Sequence, residues 1–349
     1  MILLILMFKN SRFTLFCVFI FCSFISMGQS KDDNVIISGQ EDTYRYLKNG
    51  NKDFQIEEKS VIEYTCIGDV KPITVYKFYS ATSEIKKVRV KGIKRVVPRY
   101  EMYQSKSLFY SDTRVCYFSL PFSKKNESAQ VTFVKKYSDL QSLFFIPISD
   151  DQFIKKKVIR FEVPDWMEID LIERNFDTTI QKEIKRDDKS RTNTYIYTVE
   201  NQKAIAYEEN MPHYVYPYIL VIPRSVRVDG LKQPLFDNFD HLYAWLHNYV
   251  LLSGNNEDIV KQKAQEITNN CKTDEEKIKA LFSWVQDNIR YLANEYGIEA
   301  YKPDAAHEVI QKKYGDCKGM SNLLKCLLNA QGFDARLVWI GTGEVSFDP

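Results

Sequence analysis

One change of period divides this chain and limits what it can fold into. Across residues 55–223, apolar residues fall in short β-branched and aromatic runs broken by polar turns, at 60–67, 73–79, 130–137, 158–163, 194–199 and 214–222. After Asp237 the spacing lengthens to that of a helix, with Phe239, Leu242, Leu246 and Tyr249 on one stripe. A strand buries every second side chain and a helix every third or fourth, so the two stretches cannot share one kind of element. The expected fold is α+β in two domains, an antiparallel β-sandwich over residues 29–232 followed by a helical domain over 233–349. The switch itself sets the boundary near residues 230–234.

A length of 349 residues allows two cores, and the 22 tyrosines and 22 phenylalanines favour a large strand content. A net charge of +2 excludes a nucleic-acid partner, because neutralising phosphates requires a strongly basic face. The start of the chain has the form of an export signal. Lys9 and Arg12 precede an apolar run over residues 13–25, and Ser26-Met27-Gly28 supplies small residues, so cleavage after Gly28 is expected, with Met7 as an alternative start. The mature chain is then expected in the periplasm or at the cell surface. Contact with a membrane is expected only through this segment, if it stays uncleaved.

Loss of residues 1–28 removes Cys17 and Cys22 and leaves Cys66, Cys116, Cys271, Cys317 and Cys326. An odd number in an exported chain leaves at least one thiol unpaired within it, while Cys66 and Cys116 could staple the sandwich. No Cys-x-x-Cys pair occurs, the four histidines are scattered, and no acidic cluster has calcium-loop spacing, so no metal or other cofactor is expected. The charged residues 182–191 mix both signs, as a solvated hairpin tip does, and Lys155 to Lys157 are expected to be solvated likewise.

In the helical part, Ile259, Lys263 and Ile267 follow one another on a polar helix. Thr273 and Glu276 then form a capping box that opens a helix with Ile278, Leu281, Phe282, Val285 and Ile289 on its stripe. Trp245 and Trp284 are expected to pack against neighbouring elements. A helix beginning near Pro303 would turn Val309 and Ile310 inward, and Tyr314-Gly315-Asp316 interrupts it. The next helix, over residues 317–330, carries Met320, Leu323, Leu324, Leu327 and Leu328, with Gly332 just past its end and a strand expected at 335–341.

Cys317 opens that helix. First-turn amides without intrahelical partners and the positive end of the helix dipole favour a thiolate there, and such thiols fall to between ~3.5 and ~7.5. By position alone the same cysteine could be a small buried hydrophobe. Cys326 lies about half a turn round the helix at ~100° per residue, so the two cannot form a redox pair.

The words around Cys317 shift the balance. Tyr314-Gly315-Asp316-Cys317-Lys318-Gly319, Leu323-Leu324 and Gly332-Phe333-Asp334-Ala335-Arg336 resemble the core of the transglutaminase-like superfamily, a group of papain-like cysteine enzymes. The stretch Trp284-Val285-Gln286-Asp287-Asn288-Ile289-Arg290-Tyr291 resembles the family's preceding helix, and Tyr301-Lys302-Pro303 the segment leading into its turn. The β-rich part, with Asp112-Thr113-Arg114 and Phe118-Ser119-Leu120-Pro121, resembles the domain of unknown function that precedes such cores in exported bacterial proteins.

The resemblance implies that residues 233–349 hold the helical first half of a papain-like domain and that Cys317 is the nucleophile. It implies thiol acyl transfer or hydrolysis on a peptide or protein substrate, with a histidine and an Asp or Asn as partners. Those partners are expected beyond Pro349, since no histidine follows His307. His307, His213, His241 and His247 are expected to be ordinary by position, and the polypeptide as it stands is expected to be inactive. The alternative is a non-catalytic periplasmic or cell-surface binding or scaffold protein with a degenerate transglutaminase-like domain.

Overall fold

The computed structural model describes residues 34–50, 53–103, 110–111, 113–143, 145–205, 215–295 and 301–338. The expected signal segment with Cys17 and Cys22, Asp112, His213 and residues 339–341 of the expected strand lie outside these residues. The order is β1 (Val35–Asn49), β2 (Asp53–Cys66), β3 (Ile73–Tyr79), β4 (Ser83–Lys91), β5 (Arg99–Met102), β6 (Tyr110–Ser111), β7 (Arg114–Leu120), β8 (Ser128–Tyr137), β9 (Phe145–Pro147), β10 (Ile154–Pro164), β11 (Met167–Arg174), β12 (Gln181–Asp187), β13 (Thr192–Gln202), β14 (Tyr218–Val228) and β15 (Leu231–Pro234). Then come α1 (Phe239–Leu251), α2 (Glu257–Thr268), α3 (Asp274–Asn288), β16 (Arg290–Tyr291), β17 (Asn294–Glu295), α4 (Ala306–Lys312), β18 (Tyr314–Gly315) and α5 (Cys317–Ala330). The chain is α+β, with large sheets first and helices after.

Seven strands form the main sheet in the order β12-β13-β10-β1-β2-β8-β4. Its pairs are antiparallel except β1 with β10, which run parallel and need a long crossover between them, so the sandwich is not purely antiparallel. A sheet built on β11, β14 and β15, with β9 beside β14, and a second of β3, β7 and β5 cover one face of it. That single face is possible because β1 carries a register shift between Ile37 and Gly39. One extra residue moves the buried set from odd positions (Val35, Ile37) to even ones (Asp42, Tyr44, Tyr46), so both ends of the strand point inward.

Two apolar clusters result. Tyr44, Ile56, Phe161, Tyr197 and Val221 belong to one, and Ile37, Tyr64, Cys116, Leu120 and Phe133 to the other. Along β2 the inward residues run Ile56, Glu58, Ser60, Ile62, Tyr64 and Cys66, all buried, so the seam between the two clusters is polar. Glu58 accepts from Ser60 Oγ at 3.3 Å and from Tyr137 OH at 2.7 Å, and it pairs with Lys77. Burial pushes its carboxyl up, but the charges of Lys77 and Lys135 and the hydrogen bonds from Lys77 and Tyr137 outweigh that and hold it at about 2.

Lys157, expected to be solvated, is buried on the same inner face. Its Nζ donates to the carbonyls of Pro147 (2.9 Å) and Ile148 (3.2 Å) and lies 3.8 Å from Asp42 Oδ2. Lys157 falls on the inward side of β10 with Ile159, Phe161 and Val163, while Lys155 and Lys156, where the alternation changes phase after buried Ile154, face water. Residues 182–191 form the exposed β12–β13 hairpin, as their mixed charge requires. Cys66 and Cys116 are both free, buried thiols rather than a disulfide.

In the helical part, α2, α3, α4 and α5 bury Val260, Ala264, Leu281, Val285, Val309, Ile310, Leu323 and Leu327 against one another. The inward face of α2 is Val260, Ala264 and Thr268, with Ile267 partly buried beside it. Leu281, Val285 and Ile289 of the α3 stripe are inside, but Ile278 and Phe282 are exposed. The α1 stripe buries no residue completely. Trp245 packs edge-on against Phe236, Tyr249 and Tyr301, and Trp284 lies between Lys263 and Lys313, so both tryptophans pack as expected.

Candidate active site around Cys317

The last two helices are joined by a short, tightly specified turn. Lys313 closes α4 in the left-handed conformation (φ 60°), and Tyr314–Gly315 then pairs in parallel with Arg290–Tyr291. The amides of Arg290 and Leu292 donate to the carbonyls of Lys313 and Gly315, each at 2.9 Å. This bridge ties the start of α5 to the end of α3. Asp316 is the N-cap: its Oδ1 accepts from the Gly319 amide at 2.8 Å, and its carbonyl accepts from the Met320 amide at 2.9 Å. Its other carboxylate oxygen pairs with Lys318, and both side chains are largely buried.

Cys317 is therefore the first residue of α5, and its side chain is exposed. It is not a packed core cysteine. Cys326, further along the same helix, is half-buried, and burial pushes its thiol up. The helix beneath Cys317 is anchored close to its neighbour: a Cβ on Gly319 would lie 3.2 Å from Asp304 Cβ, so glycine permits the approach of α5 to the segment before α4.

A polar lock inside the helical core went unread in the sequence. Asn322, fully buried on α5, donates to Asn255 Oδ1 and to the Asp304 carbonyl, each at 3.0 Å. Asn255 Oδ1 also accepts from the Ala306 amide at 2.7 Å, supplying the cap that Ala305 lacks. Lys312 closes the group with an ion pair to Asp304 at 2.6 Å. An asparagine within the Met320, Leu323, Leu324 stripe was the available signal, since a polar side chain inside an apolar face must find partners.

The described histidines make other contacts. His307 Nδ1 accepts from the Asn256 amide at 3.2 Å, fixing the start of α2. His247 stacks on Tyr243 with ring centroids 5.6 Å apart, and His241 sits in the first turn of α1. Among the described residues no histidine hydrogen-bonds Cys317, and no group of three His, Cys, Asp or Glu side chains is arranged to hold a metal ion. Of the expected strand at 335–341, residues 335–338 form no helix or strand.

Residues 261–344 match the model of the transglutaminase-like superfamily core. No curated protein matches the chain. Among solved structures, a candidate protease from Parabacteroides distasonis superposes with a TM-score of 0.60 at 12% identity, covering 86% of this chain and 60% of that one. The chain thus spans less than two thirds of that protein's length, and the likeness is one of fold. A candidate nutrient-binding protein from Legionella pneumophila reaches a TM-score of 0.32 at 11% identity, over 85% of this chain and 94% of that one. An M1 zinc metallopeptidase from Deinococcus radiodurans reaches 0.30 at 10% identity, over 56% and 44%.

Proposed function

We propose, from the transglutaminase-like core at residues 261–344, that this is an exported cysteine enzyme of thiol acyl transfer or hydrolysis acting on peptide or glutamine amides. The observation that carries the reading is an exposed thiol at the first residue of a capped helix, inside the matched span. In this reading the Cys317 sulfur, as thiolate, attacks the carboxamide carbon. The carbon–nitrogen bond breaks, the departing amine takes a proton from a histidine, and a thioester to Cys317 remains. Water or a second amine then attacks the thioester and regenerates the thiol. No residue is assigned here as that histidine or as its Asp or Asn partner.

Amides of the first turn of α5 are the groups available to steady the oxyanion. Asp316, Lys318 and the Asn322 lock hold that turn in place. Export is supported by the apolar run at residues 13–25 behind Lys9 and Arg12. The test uses the full-length protein with glutamine-containing peptides, following ammonia release and amine incorporation, beside Cys317→Ala. Loss of all turnover in Cys317→Ala supports the reading. Unchanged turnover in that variant, or no turnover in either protein, refutes it and favours the scaffold alternative.

A further inference from the structure

The polar seam of the β-rich part opens into a cavity of about 490 Å³ lying over the main sheet between the two smaller sheets. It shares no lining residue with the helical part, so a ligand bound there would be independent of the chemistry at Cys317. Two acceptor atoms of its lining residues are unsatisfied. Asp42, only 4% exposed, uses Oδ2 to accept from Gln40 Nε2 at 2.7 Å, while its Oδ1 is buried and has no partner; Gln40 Oε1 is in the same state. A buried carboxylate oxygen left bare costs about 1–3 kcal/mol or more, so these atoms call for donors from whatever fills the space.

The rest of the lining narrows what that is. Lys77 and Lys157 stand against the carboxylates of Asp42, Asp150 and Asp151, so neither a cation nor an anion gains a field of one sign. Cationic ligands would meet two ammonium groups, and anionic ones three carboxylates. A neutral ligand that both donates and accepts suits the mixture, and hydroxyl groups do both. Tyr44, Tyr64 and Phe133 supply aromatic walls. Tyr76, 46% exposed, donates to Asp151 Oδ2 at 2.7 Å and borders the opening. Aromatic faces beside a few fixed polar groups, in a space of this volume, are the usual makeup of a small-ligand site.

We infer that this cavity is a binding site for a hydroxyl-rich neutral ligand of mono- or disaccharide size, whose vicinal hydroxyls donate to Asp42 Oδ1 and Gln40 Oε1 while its carbon–hydrogen faces lie on the tyrosines. No covalent step is involved.

The test is saturation-transfer NMR followed by calorimetric titration of the whole chain with glucose, galactose, mannose, N-acetylglucosamine, cellobiose and chitobiose. Arginine and glutamate serve as charged probes. Two variants accompany it: Asp42→Asn, which removes the bare anionic acceptor, and Tyr76→Ala at the exposed rim, which leaves the buried seam intact. Saturable binding of at least one saccharide, weakened about tenfold or more in both folded variants, is the expected result. If Asp42→Asn fails to fold, Tyr76→Ala alone decides. Three outcomes overturn the inference: no saccharide binding at millimolar concentrations, binding that survives Tyr76→Ala unchanged, or binding of the charged probes only.

Discussion

Glu58→Gln should cost the β-rich part about 3 kcal/mol at neutral pH, and the loss should vanish in acid. The Glu58 side chain is 4% exposed and faces Lys77, which is 25% exposed, so the pair is nearly desolvated. Removing one charge from such a pair leaves the other uncompensated, at about 3–5 kcal/mol for full burial. The partial exposure of Lys77 argues for the lower end. The depressed carboxyl reflects the same pairing: held at about 2 against its ordinary 4.5, it contributes about 3 kcal/mol once ionised in both states. Because the folded value is depressed, that contribution is complete above about pH 4.5 and is lost as pH falls through about 2. The amide of the variant cannot titrate, so the difference between the two proteins should shrink from about 3 kcal/mol at pH 7 towards zero near pH 2. Urea unfolding followed by far-ultraviolet circular dichroism at several pH values measures it. A difference that stays constant with pH, or one under about 1 kcal/mol at pH 7, would refute the reasoning.

Two further substitutions probe the other polar assemblies. Lys157→Met should destabilise by about 3–5 kcal/mol in the same unfolding assay, because it strands the buried Asp42 carboxylate and two backbone carbonyls. Asn322→Leu should cost about 1–3 kcal/mol by leaving the Asp304 carbonyl without its donor, read as a lowered unfolding midpoint of the helical part.

How far these features could be read from the residues depends on how local their causes are. The Thr273–Glu276 capping box rests on contacts within four residues and the strand runs on local alternation, so spacing alone revealed them; Asp316, read only as interrupting the helix before it, is the cap of α5. Lys157 could not be read that way. Its partner Asp42 lies on β1, and only the parallel β1–β10 register brings them together. The inward face of α2 was not legible because Ala264 and Thr268 are small and weakly apolar, yet they are what allows α2 to lie close against its neighbours. The Asn255–Asn322 lock joins segments distant in sequence, and its purpose is visible only once the bare start of α4 lies beside both.

Central to the proposed chemistry is a bond between the exposed sulfur of Cys317 and the substrate carbonyl. Rapid acid quenching of the full-length protein with a glutamine-containing peptide, followed by peptide mapping in a mass spectrometer, tests this directly. The expected result is an acyl adduct on Cys317 and none on Cys271 or Cys326. Turnover with an adduct elsewhere, or with none while Cys317 stays free, would contradict it.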